Sequence, residues 1–192
     1  FSDIEKGSTA NDNELVFAWL NDAKLVNLCF NSADPNIGLR LSLEKTKFKC
    51  YLCDTGLLLT LAFDDNEAAK AEIMRKLALG KLEVNKGMLM ENLVAQMFRA
   101  NGRKLYYYSS YDKANASNRM EVDFLITKNS ITNRHNICPV EVKSTDRYTF
   151  TSIRKYISKF SEYTGTPYIL HTRDVEVKDG FIFLPLYMAG LL

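Results

Sequence analysis

Histidine is almost missing from this 192-residue chain, which has two, together with four cysteines, four prolines and one tryptophan. Neither His135 nor His171 has a Ser, a Cys or a second His at catalytic spacing, so both read as structural or solvent-facing. Four cysteines in a chain this long suggest no disulfide framework and point to a reducing cytoplasm. Cys50 and Cys53 have zinc-knuckle spacing, yet no second Cys pair or close His pair completes a tetrahedral site. Both lie in the apolar stretch from Phe48 to Leu61, where a free Cys serves as a small core residue. No apolar run reaches the ~18 residues needed to span a membrane, and no charged-then-apolar leader opens the chain. A Gly-x-x-x-x-Gly-Lys-Ser/Thr loop and a Gly-rich dinucleotide fingerprint are both lacking, which argues against a nucleotide site, NAD or flavin chemistry. The first residue is Phe1 rather than Met, so the chain reads as a piece of something longer.

What is there is ordinary in amount and unusual in distribution. Hydrophobic residues at 46% and charged residues at 25% suit a soluble globular protein with room for one domain, or one with a smaller appendage. The net charge is only +2. Residues 100–160, however, hold eleven Lys/Arg against five acids, a local net of +6 that leaves −4 for the rest. A phosphate-binding surface requires such a concentration, and a solvated basic face has the same composition.

Periodicity divides the chain. Glu14 to Lys24 predicts an amphipathic helix with Leu15, Ala18 and Trp19 on one side and Asp12 or Asn13 as its cap. Leu25–Phe30 and Arg40–Leu52 predict two strands around the turn at Asp34-Pro35 and Gly38, followed by the short apolar run Leu57–Phe63. A helix and a two-stranded ribbon form the tail half of a winged-helix pattern, assigned to residues 1–63. Residues 64–192 are the second unit. There Asn66–Leu79 is helix-compatible, and Lys86–Ala100 is a stronger helix with the stripe Met90, Leu93, Val94, Met97 and Phe98. Strands are predicted at Lys104–Ser110, Met120–Thr127, Ile137–Lys143, Pro167–His171 and Phe181–Tyr187, with a helix over Arg147–Tyr163. The order implies a mixed sheet covered by helices with at least one crossover, hence an α/β fold.

Two acidic triplets sit inside this pattern: Glu121-Val122-Asp123 and Glu141-Val142-Lys143. Side chains alternate along a strand, so Glu141 and Lys143 project together and Asp123 shares a face with Glu121. Neighbouring strands can then gather Asp123, Glu141 and Lys143: two hard oxygen ligands for a divalent cation and one ammonium. Glu91 falls at the border of the apolar stripe of its helix, within reach of a strand end.

Glu91 on a helix, Asp123 on the second strand and Glu141-Val-Lys143 on the third resemble the PD-(D/E)XK nuclease superfamily, the restriction-endonuclease-like fold. The resemblance implies that Asp123 and Glu141 hold Mg²⁺ or Mn²⁺, that Glu91 supports the metal or its water, and that Lys143 orients the attacking water. The Pro expected near the first Asp is missing, and Glu121-Val-Asp123 stands in its place. Ser144, Arg119, Arg147, Arg154 and Lys155 are candidate phosphate or DNA contacts, and Tyr107, Tyr108 and Tyr111 are candidates for base stacking or for alternating core and surface. Tyr51-Leu-Cys-Asp54-Thr55-Gly56-Leu57, Met90-Glu91-Asn92-Leu-Val and the two acidic triplets also resemble the C-terminal domain of unknown function of prokaryotic AAA-type ATPases. That implies an ATPase module elsewhere in a longer chain or in a partner, and DNA as the substrate. The alternative is a DNA-binding or protein-docking domain that keeps the nuclease fold without its chemistry.

Overall fold

The computed structural model describes residues 14–62, 71–72, 75–76, 86–111, 118–128, 136–145 and 148–192. It is a mixed α/β structure with two mixed sheets. Of the predicted helix over 66–79 only residues 71–72 and 75–76 are described, and they are helical; the cap residues Asp12 and Asn13 lie outside the described residues, as do His135 and Arg147.

The first sheet has the order β2-β1-β3-β4, from β1 (Val26–Ser32), β2 (Leu43–Leu52), β3 (Leu105–Ser110) and β4 (Met120–Val122). β1 and β2 form an antiparallel pair, and β1 then runs parallel to β3, with Cys29 opposite Leu105. Asn31, fully buried, stitches that parallel seam: its Oδ1 accepts the Ser109 N–H at 2.8 Å. The second sheet has the order β5-β6-β7-β9-β8, from β5 (Phe124–Thr127), β6 (Ile137–Val142), β7 (Tyr168–His171), β8 (Glu176–Lys178) and β9 (Phe181–Pro185). β6, β7 and β9 are parallel neighbours, while β5 and β8 run antiparallel at the two edges. The predicted strand Met120–Thr127 is thus broken at Asp123, where the chain leaves one sheet and enters the other.

The sheets are accompanied by α1 (Glu14–Asp22), α2 (Thr55–Ala62), α3 (Lys86–Ala100) and α4 (Thr151–Lys159). Residues 57–62 of the predicted apolar run lie in α2, and α4 is shorter at both ends than its predicted span. α3 has its predicted bounds. Gly102, at φ +76°, turns the chain out of it with a backbone conformation that side chains beyond Gly rarely adopt. Val94, Ala95 and Phe98 of α3 join Phe124, Val140 and Leu170 in the largest apolar cluster, while Ile153 and Tyr156 of α4 are fully buried on the core face predicted for it.

Two expected faces are corrected. Leu15 and Trp19 of α1 are exposed, and it is Phe17 that packs, edge-on to Phe48 of β2 at 5.1 Å. A two-turn helix turns only one narrow stripe to the sheet, and the stripe through Phe17, Leu20 and Asn21 takes that side. Cys50 is exposed rather than core, because β2 is an edge strand. Cys29 and Cys138 are the buried thiols.

Asn92 lies on the buried side of α3, where the stripe was expected to be apolar. Its side chain works like a strand backbone. Oδ1 accepts the Leu52 N–H at 2.8 Å, and Nδ2 donates to the Leu52 carbonyl at 3.1 Å and to the Thr55 hydroxyl at 3.2 Å. α3 thereby holds the end of β2 and the start of α2. Asn92→Ala leaves a buried N–H and carbonyl unpaired and should cost about 1–3 kcal/mol in urea unfolding. A loss below roughly 0.5 kcal/mol, within the range of neutral surface changes, would show that this clamp is dispensable.

Candidate functional site

The break at Asp123 sets up the site. β6 pairs with β5 through Phe124 and Val140, and one step further the Asp123 side chain takes over from the backbone ladder: its Oδ2 accepts the Val142 N–H at 2.8 Å. The carboxylate is pinned between two strands, with Oδ1 turned towards β2. Glu141, on β6, is buried on a strand whose residues are all buried. Its Oε2 accepts from Lys143 Nζ at 2.6 Å, and its Oε1 is buried with no hydrogen-bond partner. The Lys143 backbone N–H is tied to the Leu170 carbonyl at 2.8 Å, which fixes the exit of β6 against β7. Glu91 reaches the same region from α3, and its Oε2 accepts the Tyr51 hydroxyl at 3.0 Å. Asp123, Glu141, Lys143 and Glu91, predicted from three separate elements, therefore meet at the junction of the two sheets.

Two residues of β2, Lys49 and Tyr51, were not predicted as part of the cluster. Lys49 of β2 places Nζ 2.6 Å from Glu121 Oε1, 3.6 Å from Glu91 Oε2 and 3.7 Å from Asp123 Oδ1. Its ammonium also lies 5.2 Å from the centre of the Tyr107 ring. The alternation of Lys45, Lys47 and Lys49 was legible as a strand, but nothing local tells which lysine turns inward.

Electrostatics follow from burial and this crowding. Burial raises the Asp123 pKa to about 7, with Glu141 and Glu91 adding to the rise while Lys49 and the Val142 N–H oppose it. Glu141 is raised as well, first by burial, against the pull of Lys143. Burial alone would lower Lys49, but Asp123, Glu91 and Glu121 outweigh it and the ammonium is held in its charged form. Burial and the nearby Glu91 push the Tyr51 phenol far up, so it remains a hydrogen-bond donor.

The donor set has the chemistry of a hard divalent cation site. Fully ionised, Glu91, Glu121, Asp123 and Glu141 carry four negative charges against two on Lys49 and Lys143, an excess of two. Glu141 Oε1 is buried without a hydrogen-bond partner, and a carboxylate oxygen is the kind of hard donor such cations take. The spacing is another matter. Among the described residues no three His, Cys, Asp or Glu side chains stand together as a metal-holding group, and Lys49 Nζ is what lies among the acids.

The other candidates scatter. Ser144 lies beside the first turn of α3, where a Cβ on Gly87 would stand 3.7 Å from its hydroxyl. Arg119 covers the exposed Tyr111 ring at 4.7 Å, and its backbone carbonyl, beside β4, accepts from Lys155 at 3.2 Å. Arg154 lies over Phe181 at 5.3 Å. Tyr107 and Tyr108 are core residues, which leaves Tyr111 as the exposed ring of the three. His171 is buried against Phe183, a structural position.

The profile of one protein family, described as a domain of unknown function, DUF4143, matches residues 86–188, more than half of the chain. The chain belongs to the DUF4143 family. That span of the DUF4143 domain contains Glu91, Asp123, Glu141 and Lys143, whereas Lys49 and Tyr51 precede it. No curated protein and no solved structure matches the chain.

Proposed function

We propose that this DUF4143 protein is a restriction-endonuclease-like, PD-(D/E)XK-type domain that hydrolyses DNA phosphodiesters with Mg²⁺ or Mn²⁺. The observation that carries the reading is the meeting of Glu91, Asp123, Glu141 and Lys143 where the chain crosses between sheets, with Glu141 Oε1 buried and unpartnered. Helix α3, strands β3 to β6, helix α4 and strand β7 follow the element order of that fold. Asp123 and Glu141 would hold the metal, with Glu91 supporting the metal or its water. When bound, such a cation supplies a lowered pKa for the attacking water and counter-charge for the phosphate oxygens. Lys143, tethered by its backbone to β7, orients the water beside Glu141. Ser144 donates to a phosphate oxygen near the first turn of α3, and Arg119, Lys155, Arg147 and Arg154 draw the polyanion to the surface. Residues 1–63 would belong to a winged-helix segment, and an AAA-type ATPase module, in the same longer chain or a partner, would govern access.

Calorimetric titration of Mn²⁺ and Mg²⁺, with and without a short DNA duplex, tests this. A ligand carboxylate must be deprotonated, so metal affinity should rise as pH climbs through about 7, the value to which Asp123 is raised. Lys49 among the acids favours a second reading, a DNA-binding or docking domain that has kept the nuclease fold. No binding at millimolar metal, even with DNA, would decide for it.

A further inference from the structure

The metal site proposed above has a cation of its own. The charge that collects Glu91, Glu121 and Asp123 around one point comes from Lys49, on a strand outside the family-matched residues. Three acids from α3, β4 and the β4–β5 junction face it, while Glu141 stays with Lys143 across the cluster. The ammonium is largely covered, its side chain 21% exposed, so it is no solvated surface lysine. Its stem is fixed by position: β2 pairs with β1 through Cys29 and Lys49, and two residues on Tyr51 binds Glu91 from the same face. Like charges this close repel strongly in a covered site, so the acids need a counter-charge before a metal arrives. Glu121 is the most exposed of them, 51% open to solvent, and it makes the shortest contact with Nζ.

We infer that Lys49 is the resident counter-cation of the carboxylate centre and competes with the divalent metal for Asp123 and Glu91, turning towards the exposed Glu121 when metal enters. The inference rests on the metal-site reading and adds a positioning residue to it: the β1–β2 hairpin decides how readily the centre loads.

Mn²⁺ titration into the whole chain, Lys49→Met and Lys49→Arg tests it. Methionine keeps an apolar stem of similar length against Tyr107 and removes the charge; arginine keeps the charge. Lys49→Met should bind Mn²⁺ at least about tenfold more tightly than the parent, the scale of an ordinary coupling between competing ligands, and Lys49→Arg should show no such gain. Without metal Lys49→Met should melt at a lower temperature than the parent, and Mn²⁺ should restore it. In the parental chain, the side-chain carbon resonances of Lys49 should shift with Mg²⁺ and saturate in step with the calorimetry. That measurement needs no variant to fold.

A parent that binds Mn²⁺ weakly beside a Lys49→Met that binds at least about tenfold more tightly would support the inference. A parent that binds Mn²⁺ no more weakly than Lys49→Met, or Lys49 resonances that ignore bound Mg²⁺, would overturn it and leave the metal-site reading standing. If neither protein bound metal, the metal-site reading would fall and this inference with it.

Discussion

Asp123→Ala should lose the proposed metal binding and DNA cleavage together, by more than about 100-fold. Even residues that only orient a metal ligand typically cost 10- to 100-fold when removed, and Asp123 is proposed as a ligand itself. The fold should survive. The substitution removes one buried acid from a cluster in which Glu141 and Glu91 already oppose its ionisation, which relieves repulsion. Against that stands the Val142 N–H, left without its 2.8 Å acceptor, at about 1–3 kcal/mol. Asp123→Asn keeps an acceptor for that N–H and loses the charge, so it separates the two effects: stable, yet equally inactive. Cleavage of supercoiled plasmid in Mg²⁺, read beside Mn²⁺ calorimetry, measures both. Parental cleavage by either variant would remove Asp123 from the site, and parental cleavage by Glu141→Ala would do the same for Glu141.

Phe98→Ala should bring the largest loss of stability, about 3–5 kcal/mol, the range for truncating a buried Phe. Phe98 is 1% exposed and meets Phe124 edge-to-face at 5.4 Å, while Tyr51 also packs against Phe124 at 5.6 Å. These three rings come from α3, β5 and β2. Phe124 directly follows Asp123, and Tyr51 binds Glu91, so the cluster that holds the core also holds the carboxylates in place. Metal affinity should therefore fall along with the unfolding midpoint in urea. A Phe98→Ala protein destabilised by less than about 1 kcal/mol, the size of an average point substitution, would show that the helix relaxes into the cavity and that the rings do not position the site.

The elements that were legible in the sequence are those whose signal is local. α3 carries its own period and its own stop at Asn101-Gly102, and its bounds agree with the pattern. The Tyr-rich run, the two acidic triplets and the Pro167–His171 strand each announce themselves within a few residues. Asn92 escaped notice because a polar residue beside an apolar stripe looks like surface until the strand it clamps is brought to it. The face of α1 was misassigned for a related reason: nine residues with apolar side chains on more than one side offer several stripes, and only the sheet beneath chooses.

The sequence by itself determined the alternation of helices and strands, the basic excess around the acidic triplets, and the order in which Glu91, Asp123, Glu141 and Lys143 occur. Those properties reside in neighbouring residues, whose spacing sets which side chains share a face. The tertiary structure alone decided that Lys49 and Tyr51 stand in the same cluster. They arrive there because β1 runs parallel to β3, with Cys29 opposite Leu105, and carries β2 along as its antiparallel partner. Parallel strands are joined by long connections, and their register is set by packing rather than by a turn, so no short stretch of sequence encodes it.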